Sequence, residues 1–528
     1  MENIKNAASV KNMEIVKKFL RSEQAWQAGE LQLTLEEDLN LPETKPDVDV
    51  ICFERGNVMI EETRMTGDAI MVKGKLLFSI LYHTQENGGA LERTEGKIPF
   101  EEKLRVEAAQ GAEAFVVTGT VEDLTVTVIN SRKLGIQSVI TLEATLDQVR
   151  EEELPVGVEG SPELRQKTID VSQLRLCKKD VLRIKEDLSL PAGYPNVGRI
   201  LWKNVTLGEM NFRLGDETLY VQGEANVFVL YEGEDEGAAP LSYDTVTSFS
   251  SEIACSGCRE GDALDVRHGL SAWDVTPKAD EDGEQRDFAL EMTIPLRLCA
   301  YGQEQVEVVE DAYDVACNVQ TKKRDARLRQ MVRCVTGRMK VSDHLAPAGS
   351  DQITQLVHSE GEPSLVSVLP REGGITLRGS LGLQVFYATG EEERPYGCMH
   401  AAIPYEYSLE IPGMKEGDVT GPVQTKMEQL RITLQGGGEA DVKAIMSFTV
   451  TAFREVELPV LDSLWEEAPG REKMAEMPSI VAYVVREGDD LWTIGKRYFV
   501  PVESLRERNH LTGDEVLPGQ KLLIVKEA

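Results

Sequence analysis

Apolar and polar residues alternate along most of this chain. From Ile70 to Tyr82 every second position is apolar (Ile70, Val72, Leu76, Phe78, Ile80, Tyr82), with Gly74 in the series. A period of two is that of a β-strand with one face buried. The pattern returns as Leu219, Val221, Ala225, Val227, Val229 and Tyr231 around Gly223. It returns again as Ile375, Leu377, Leu381, Leu383, Val385 and Tyr387 around Gly379. The first step is 149 residues (70 to 219) and the second 156 (219 to 375). An earlier block keeps the first step: Leu33-Thr34-Leu35-Glu36-Glu37-Asp38-Leu39-Asn40-Leu41-Pro42 is answered by Leu182-Arg183-Ile184-Lys185-Glu186-Asp187-Leu188-Ser189-Leu190-Pro191, and Pro46 by Pro195. Asp343 and Pro347 stand 156 beyond Asp187 and Pro191. Two separate blocks holding one offset without a gap imply three tandem copies of one domain, each of about 150 residues.

Each copy reads as mostly antiparallel β, a sandwich or an open barrel. Runs rich in Val, Ile and Thr follow each block (121–129, 138–146, 288–298, 430–434, 444–453), and turn signals such as Asn87-Gly88-Gly89, Asp282-Gly283 and Gly436-Gly437-Gly438 separate strands. The repeated glycine predicts a bulge or a close backbone approach inside a long strand. Val10, Met13, Val16, Phe19, Leu20 and Trp26 follow helical spacing, which predicts a helix over 1–30 packed on the first domain. The copies are expected at 31–160, 175–305 and 328–458, with a linker at 459–478 before a final unit at 479–528.

That final unit has a different grammar. An apolar run from Ile480 to Val485 ends at Gly488; Asp489 or Asp490 can cap a helix carrying Leu491, Ile494 and Tyr498; Pro501 opens a second helix that stops near Asn509. A turn at Leu517-Pro518-Gly519-Gln520 leads into a strand from Lys521 to Val525. The prediction is a small βααβ domain with no cysteine staple.

These residues resemble a LysM domain, through Tyr483-x-Val485-x-x-Gly488-Asp489-x-Leu491-x-x-Ile494, Leu505-x-x-x-Asn509 and Leu517-Pro518-Gly519-Gln520-x-Leu522. The resemblance implies a shallow groove for N-acetylglucosamine-containing glycans between residues 488–492 and 510–519. Its candidate ligand residues are Gly488, Asp489, Asp490, Trp492, Lys496, Asn509, His510, Leu511, Pro518 and Gly519. Asp490 stands where that family usually has Thr or Ser, and Gly495 where it usually has Ala; an added carboxylate makes a protein ligand more credible. Asp490, Trp492 and Lys496 are the residues expected to touch it, with Gly488, Leu491 and Ile494 structural. Three β domains followed by a LysM resemble the SipL-like SPOCS-domain family of endospore-forming Firmicutes. The lead-in Leu39-Asn40-Leu41-Pro42 to Pro46 and the repeated strand carry that resemblance; the third copy departs from the lead-in at Ala346-Pro347. It implies a morphogenetic scaffold in the mother-cell cytoplasm, at the forespore surface beneath the spore coat. Its LysM would dock a SpoIVA-like coat ATPase, with other coat proteins as further partners.

Composition narrows the rest. The 528 residues carry a net charge of -33, which argues against nucleic acid and anionic membrane surfaces. No run of 18 apolar residues exists, so no membrane span is expected, and the N-terminus has no apolar export segment. Eight dispersed cysteines fit reduced, buried thiols in a cytosolic protein better than a disulfide framework. The six histidines fall in no ligand spacing, Cys255-Ser256-Gly257-Cys258 is a lone Cys-x-x-Cys, and no nucleophile elbow or phosphate loop is present. No metal, cofactor or catalytic residue is therefore expected, and the chain is not read as an enzyme. Two functions stay open: an assembly adaptor, and a peptidoglycan-binding cell-wall protein.

Overall fold

The computed structural model describes residues 13–84, 90–107, 114–160, 162–234, 239–346, 353–391, 395–435, 439–466 and 478–526. Val10, Asn87-Gly88-Gly89, Pro347, Gly436-Gly437-Gly438 and most of the expected linker lie outside the described residues. The first repeat runs β1 (Ile15–Asn40), β2 (Val48–Thr66), β3 (Ala69–Thr84), β4 (Leu91–Arg105), β5 (Ala114–Asn130) and β6 (Lys133–Val158). In the second come β7 (Glu163–Ser189), β8 (Val197–Gly215), β9 (Thr218–Gly233), β10 (Leu241–Ala254), β11 (Ala263–His268), β12 (Ala272–Ala279) and β13 (Gln285–Tyr313). The third has β14 (Val319–Leu345), β15 (Gln355–Arg371), β16 (Gly374–Ala388), β17 (Tyr396–Glu410), β18 (Val419–Thr420), β19 (Gln424–Leu434) and β20 (Ala440–Glu466).

Every repeat is a two-sheet sandwich, one of the two architectures the alternating pattern allows. One sheet is a meander, β2-β3-β4, β8-β9-β10 or β15-β16-β17. The other pairs the first and last strands of the repeat, β1 with β6, β7 with β13 and β14 with β20, and adds β5, β11 and β12, or β18 and β19. The two inner faces close one core per repeat, with Ile70, Val72, Leu76, Ile80 and Tyr82 facing Leu134, Ile136, Ile140 and Leu142 in the first.

The repeated glycine has a steric cause. Gly74, Gly223 and Gly379 lie directly opposite Phe100, Phe249 and Tyr405 on the next strand. A Cβ there would come within 2.7, 2.5 and 2.5 Å of those side chains, so only glycine lets the ring fold over the strand. On the other side, the preceding strand bulges beside each glycine, at Ile60/Glu62, Leu207/Met210 and Leu365/Ser367. The proline lead-in is clamped by matching residues. Arg132 donates to Pro42 O (2.8 Å) and Lys45 O (3.2 Å), and Arg286 to Pro191 O (3.0 Å) and Tyr194 O (2.7 Å). Tyr82 and Tyr231 hydroxyls donate to Pro46 O and Pro195 O at 3.2 and 3.1 Å.

Residues 15–40 correct the expected N-terminal helix: they are strand throughout, paired along their length with β6 apart from two register shifts, at Val16/Lys17 and Gln27/Gly29. Leu20, Ala25 and Ala28 are buried, whereas Val16 and Phe19, on the supposed apolar helix face, are about half exposed. Long-range backbone pairing overrides a weak local period here. Because β1, β7 and β14 begin so early and β6, β13 and β20 end so late, each outer pair is a ribbon longer than its own sandwich.

The three ribbons meet. Leu20 and Leu154 of the first, Val171, Val306 and Val308 of the second, and Ala326, Leu328, Leu458 and Val460 of the third form one shared core. A second shared core joins Val158, Val309, Ala312, Val319, Leu461 and Leu464 at the ribbon ends. Between ribbons, Arg297 donates to Glu23 (2.6 Å) and Asp147 (3.2 Å), and the Tyr301 hydroxyl donates to Glu23 at 3.1 Å. Burial lifts the Asp147 carboxyl above its usual range in spite of Arg297. Cys177 and Cys299 face each other in the β7–β13 register with Cα atoms 4.2 Å apart and sulfurs at bonding distance. That cross-strand pair departs from the expectation of reduced thiols throughout.

The meanders also converge, through equivalent positions. Phe53, Trp202 and His358 cluster, with Phe53 5.1 Å from Trp202 and 6.0 Å from His358 between ring centroids. Two residues on in each repeat, Arg55 bonds Asn204 and pairs with Glu360 at 3.3 Å. Burial pushes the Glu360 carboxyl up, yet Arg55 and His358 hold it below its usual range.

The Glu23–Arg297–Asp147 contact gives a stability prediction. Arg297→Met would leave two buried carboxylates without their cation and cost about 3–5 kcal/mol, of the order measured for broken buried pairs. Urea denaturation of the full chain would read this as a lowered midpoint; an unchanged midpoint would refute the role given to Arg297.

Candidate functional site

The C-terminal domain is built as its sequence suggests. β21 (Ile480–Val484) pairs with β22 (Lys521–Val525), and α1 (Leu491–Tyr498) and α2 (Val502–Arg508) lie between them. Gly488 takes φ 86°, which ends the first strand. Asp489 ties the turn down, accepting from Arg486 N (2.8 Å) and the Tyr483 hydroxyl (2.5 Å). Asp490 is the N-cap of α1 and accepts from Thr493 N at 2.7 Å. Asn509 joins α2 to β22: its Nδ2 donates to Leu505 O and Leu523 O at 2.8 and 2.9 Å, and its Oδ1 accepts from Leu523 N at 2.6 Å. Tyr483, Val485, Leu491, Ile494, Val500, Leu505, Leu522 and Ile524 form a core drawn from this domain alone.

One face of α1 is pressed against the ribbon ends. The Trp492 indole donates to Asp311 Oδ2 at 3.0 Å, and the Lys496 ammonium donates to Asp311 Oδ1 at 2.7 Å and to Thr321 at 3.1 Å. The Tyr313 hydroxyl donates to Val500 O at 2.8 Å, and its ring meets Trp492 edge-on at 4.8 Å. Arg165 donates to Asp490 Oδ2 at 3.0 Å. Gly495 is buried here, and a Cβ on it would stand 2.6 Å from the Tyr313 hydroxyl. Burial pushes the Asp311 carboxyl up, but Lys496 and Trp492 outweigh it and hold the group below its ordinary range. Asp490 behaves alike: burial raises it, while the Thr493 hydrogen bonds and Arg165 bring it down.

Comparison with known proteins agrees with this division of the chain. A family model for the SipL SPOCS domain matches residues 47–129, 196–277 and 352–435, and the LysM domain model matches 483–525. The chain carries three SPOCS domains of the SipL type followed by a LysM domain. Each SPOCS match covers the meander and the strand or strands that follow it, leaving most of the long ribbons outside. The Bacillus subtilis (strain 168) protein described as "Uncharacterized protein YkzQ" is 45% identical over 42 residues, which is 8% of this chain. The chain thus spans little more than half, 56%, of that relative's length. No solved structure matches the chain. SPOCS and LysM content together mark a sporulation-associated protein with a module of glycan-binding type.

The ten LysM residues singled out from the sequence fall into three groups. Asp490, Trp492 and Lys496 are brought together, but by this chain's own ribbon ends. Asp489, Asn509 and Leu511 hold the LysM fold. Gly488, His510, Pro518 and Gly519 are exposed on the two loops of the expected groove, beside the strongly exposed Leu517. Sequence reasoning missed Asp311, Tyr313, Thr321 and Arg165. Their signal lay in the two LysM departures, Asp490 and Gly495, which both face them.

Other candidates offer little chemistry. Cys255 and Cys258 are buried in a turn closed by Cys258 N donating to Cys255 O at 3.1 Å. Among the described residues no three His, Cys, Asp or Glu side chains are placed to hold a metal ion. Among the described residues no helix is long and apolar enough to cross a membrane. A cavity of 2820 Å³ opens between the repeats, with walls that include Glu54, Arg55, Asn204, His358, Glu360 and His400. Burial, and then Asp123, lift the Glu54 carboxyl there to about 7.

The docked carboxylates fix a pH dependence. Asp311 and Asp490 titrate below their ordinary value of 3.8 when docked. Their contribution is therefore complete above the undocked value and is lost as pH falls through the docked one. Docking should hold between about pH 5 and pH 8 and loosen only in acid, below the ordinary carboxylate range. Trp492 emission, isolated by difference from Trp492→Phe, would shift red only in that acid window; a shift near neutrality would contradict the assignment.

Proposed function

We propose that this protein is a non-enzymatic adaptor in spore-envelope assembly, whose LysM domain docks a SpoIVA-like coat basement protein at the forespore surface. One observation supports a protein ligand over a sugar: the α1 face already makes a protein interface, through Asp490, Trp492 and Lys496. Tryptophan is among the residue types enriched at the energetic centres of protein interfaces. The three sandwiches, joined through shared cores, act as the spacer that carries this domain.

The exposed loop around His510, Leu517, Pro518 and Gly519 supports the second reading, a cell-wall protein that grips N-acetylglucosamine chains. Titrating the full chain with a SpoIVA-like basement protein, and separately with chitohexaose, decides between them. The adaptor reading expects protein binding weakened at least about tenfold by Trp492→Ala, with no sugar response. Sugar binding without protein binding would replace it with the second reading.

A further inference from the structure

The α1 face of the LysM domain cannot serve two partners at once. Its indole and ammonium both end on one carboxylate, Asp311, at 3.0 and 2.7 Å. Its capping carboxylate pairs with Arg165 at 3.0 Å. Tyr313 lies so close over Gly495 that no Cβ fits between them. The receiving residues come from three strands, Arg165 on β7, Asp311 and Tyr313 on β13, and Thr321 on β14. The receiving surface therefore exists only when the second and third ribbons are assembled.

We infer that this dock is a latch: in the free protein the ribbon ends occupy the LysM face that an external protein partner needs, and the partner must displace them. The inference rests on the adaptor reading above and adds its regulation. The latch is shallow by construction. Asp490 and Arg165 are both substantially solvent-exposed, at 40% and 47% for their side chains, so that pair contributes little. The strength lies in Asp311, whose side chain is only 10% exposed and which receives Trp492, Lys496 and Thr321 together. A partner offering one carboxylate beside an aromatic ring would reproduce what Asp311 and Tyr313 supply. Release would also uncover those two residues at the ribbon ends, so one displacement exposes two surfaces.

The test uses the full chain labelled with 5-fluorotryptophan, the Trp492 signal being assigned by its loss in Trp492→Phe. Asp311→Ala and the milder Arg165→Glu alter only the ribbon side, leaving the LysM domain intact. Both should move the Trp492 signal to a common open position, Arg165→Glu in part. Asp311→Ala should bind the SpoIVA-like protein about tenfold more tightly than wild type, within the range usual for coupled two-state elements. Adding that protein to wild type should drive the signal to the same open position. Binding of equal strength in all three chains, with the wild-type signal unmoved, would overturn the latch and leave the adaptor reading standing. No binding to any of them, with the signal open in Asp311→Ala, would overturn both.

Discussion

The structure depends on ribbons that outrun their own domains. In each repeat the first and last strands are 26 to 29 residues long and pair over most of their length, but a meander covers only part of that length. A half-buried ribbon leaves apolar side chains in water beyond the sandwich. Three ribbons together remove that cost, each covering the exposed faces of the others through Leu154, Val308, Val460 and their neighbours. The same logic explains the repeat number. A single copy would expose its share of this core, so the copies are interdependent in the way of stacked repeats, although here they close on one another rather than forming a line.

Closure by unequal copies also lets the interfaces be specific. At one set of equivalent positions the copies supply Phe53, Trp202 and His358, and at another Arg55, Asn204 and Glu360. A cation, a neutral amide and an anion can satisfy one another where three identical residues could not. The Arg297 contact with Glu23 and Asp147 does the same between ribbons. Divergence between the repeats is thus a requirement of their mutual packing. The LysM domain exploits the asymmetry, because its receiving surface draws on β7, β13 and β14 together.

The sequence by itself determined everything that rests on short-range physics and on the repeat. Alternation marked the strands, the 149-residue and 156-residue offsets marked the three copies, and the turn chemistry of Gly488, Asp490, Asn509 and Gly519 marked the LysM fold. Even the repeated glycine was legible as a close approach, although the ring that requires it is named only by the register. Tertiary structure decided the rest, for a physical reason. Whether residues 15–28 become helix or strand depends on β6, over a hundred residues away, because a weak helical period yields to a long cross-strand pairing. Likewise Asp490, Trp492 and Lys496 were readable as interface residues from their chemistry. What they touch could not be read, because Asp311 and Tyr313 carry no local pattern and acquire their role only when the ribbons assemble beside the LysM domain.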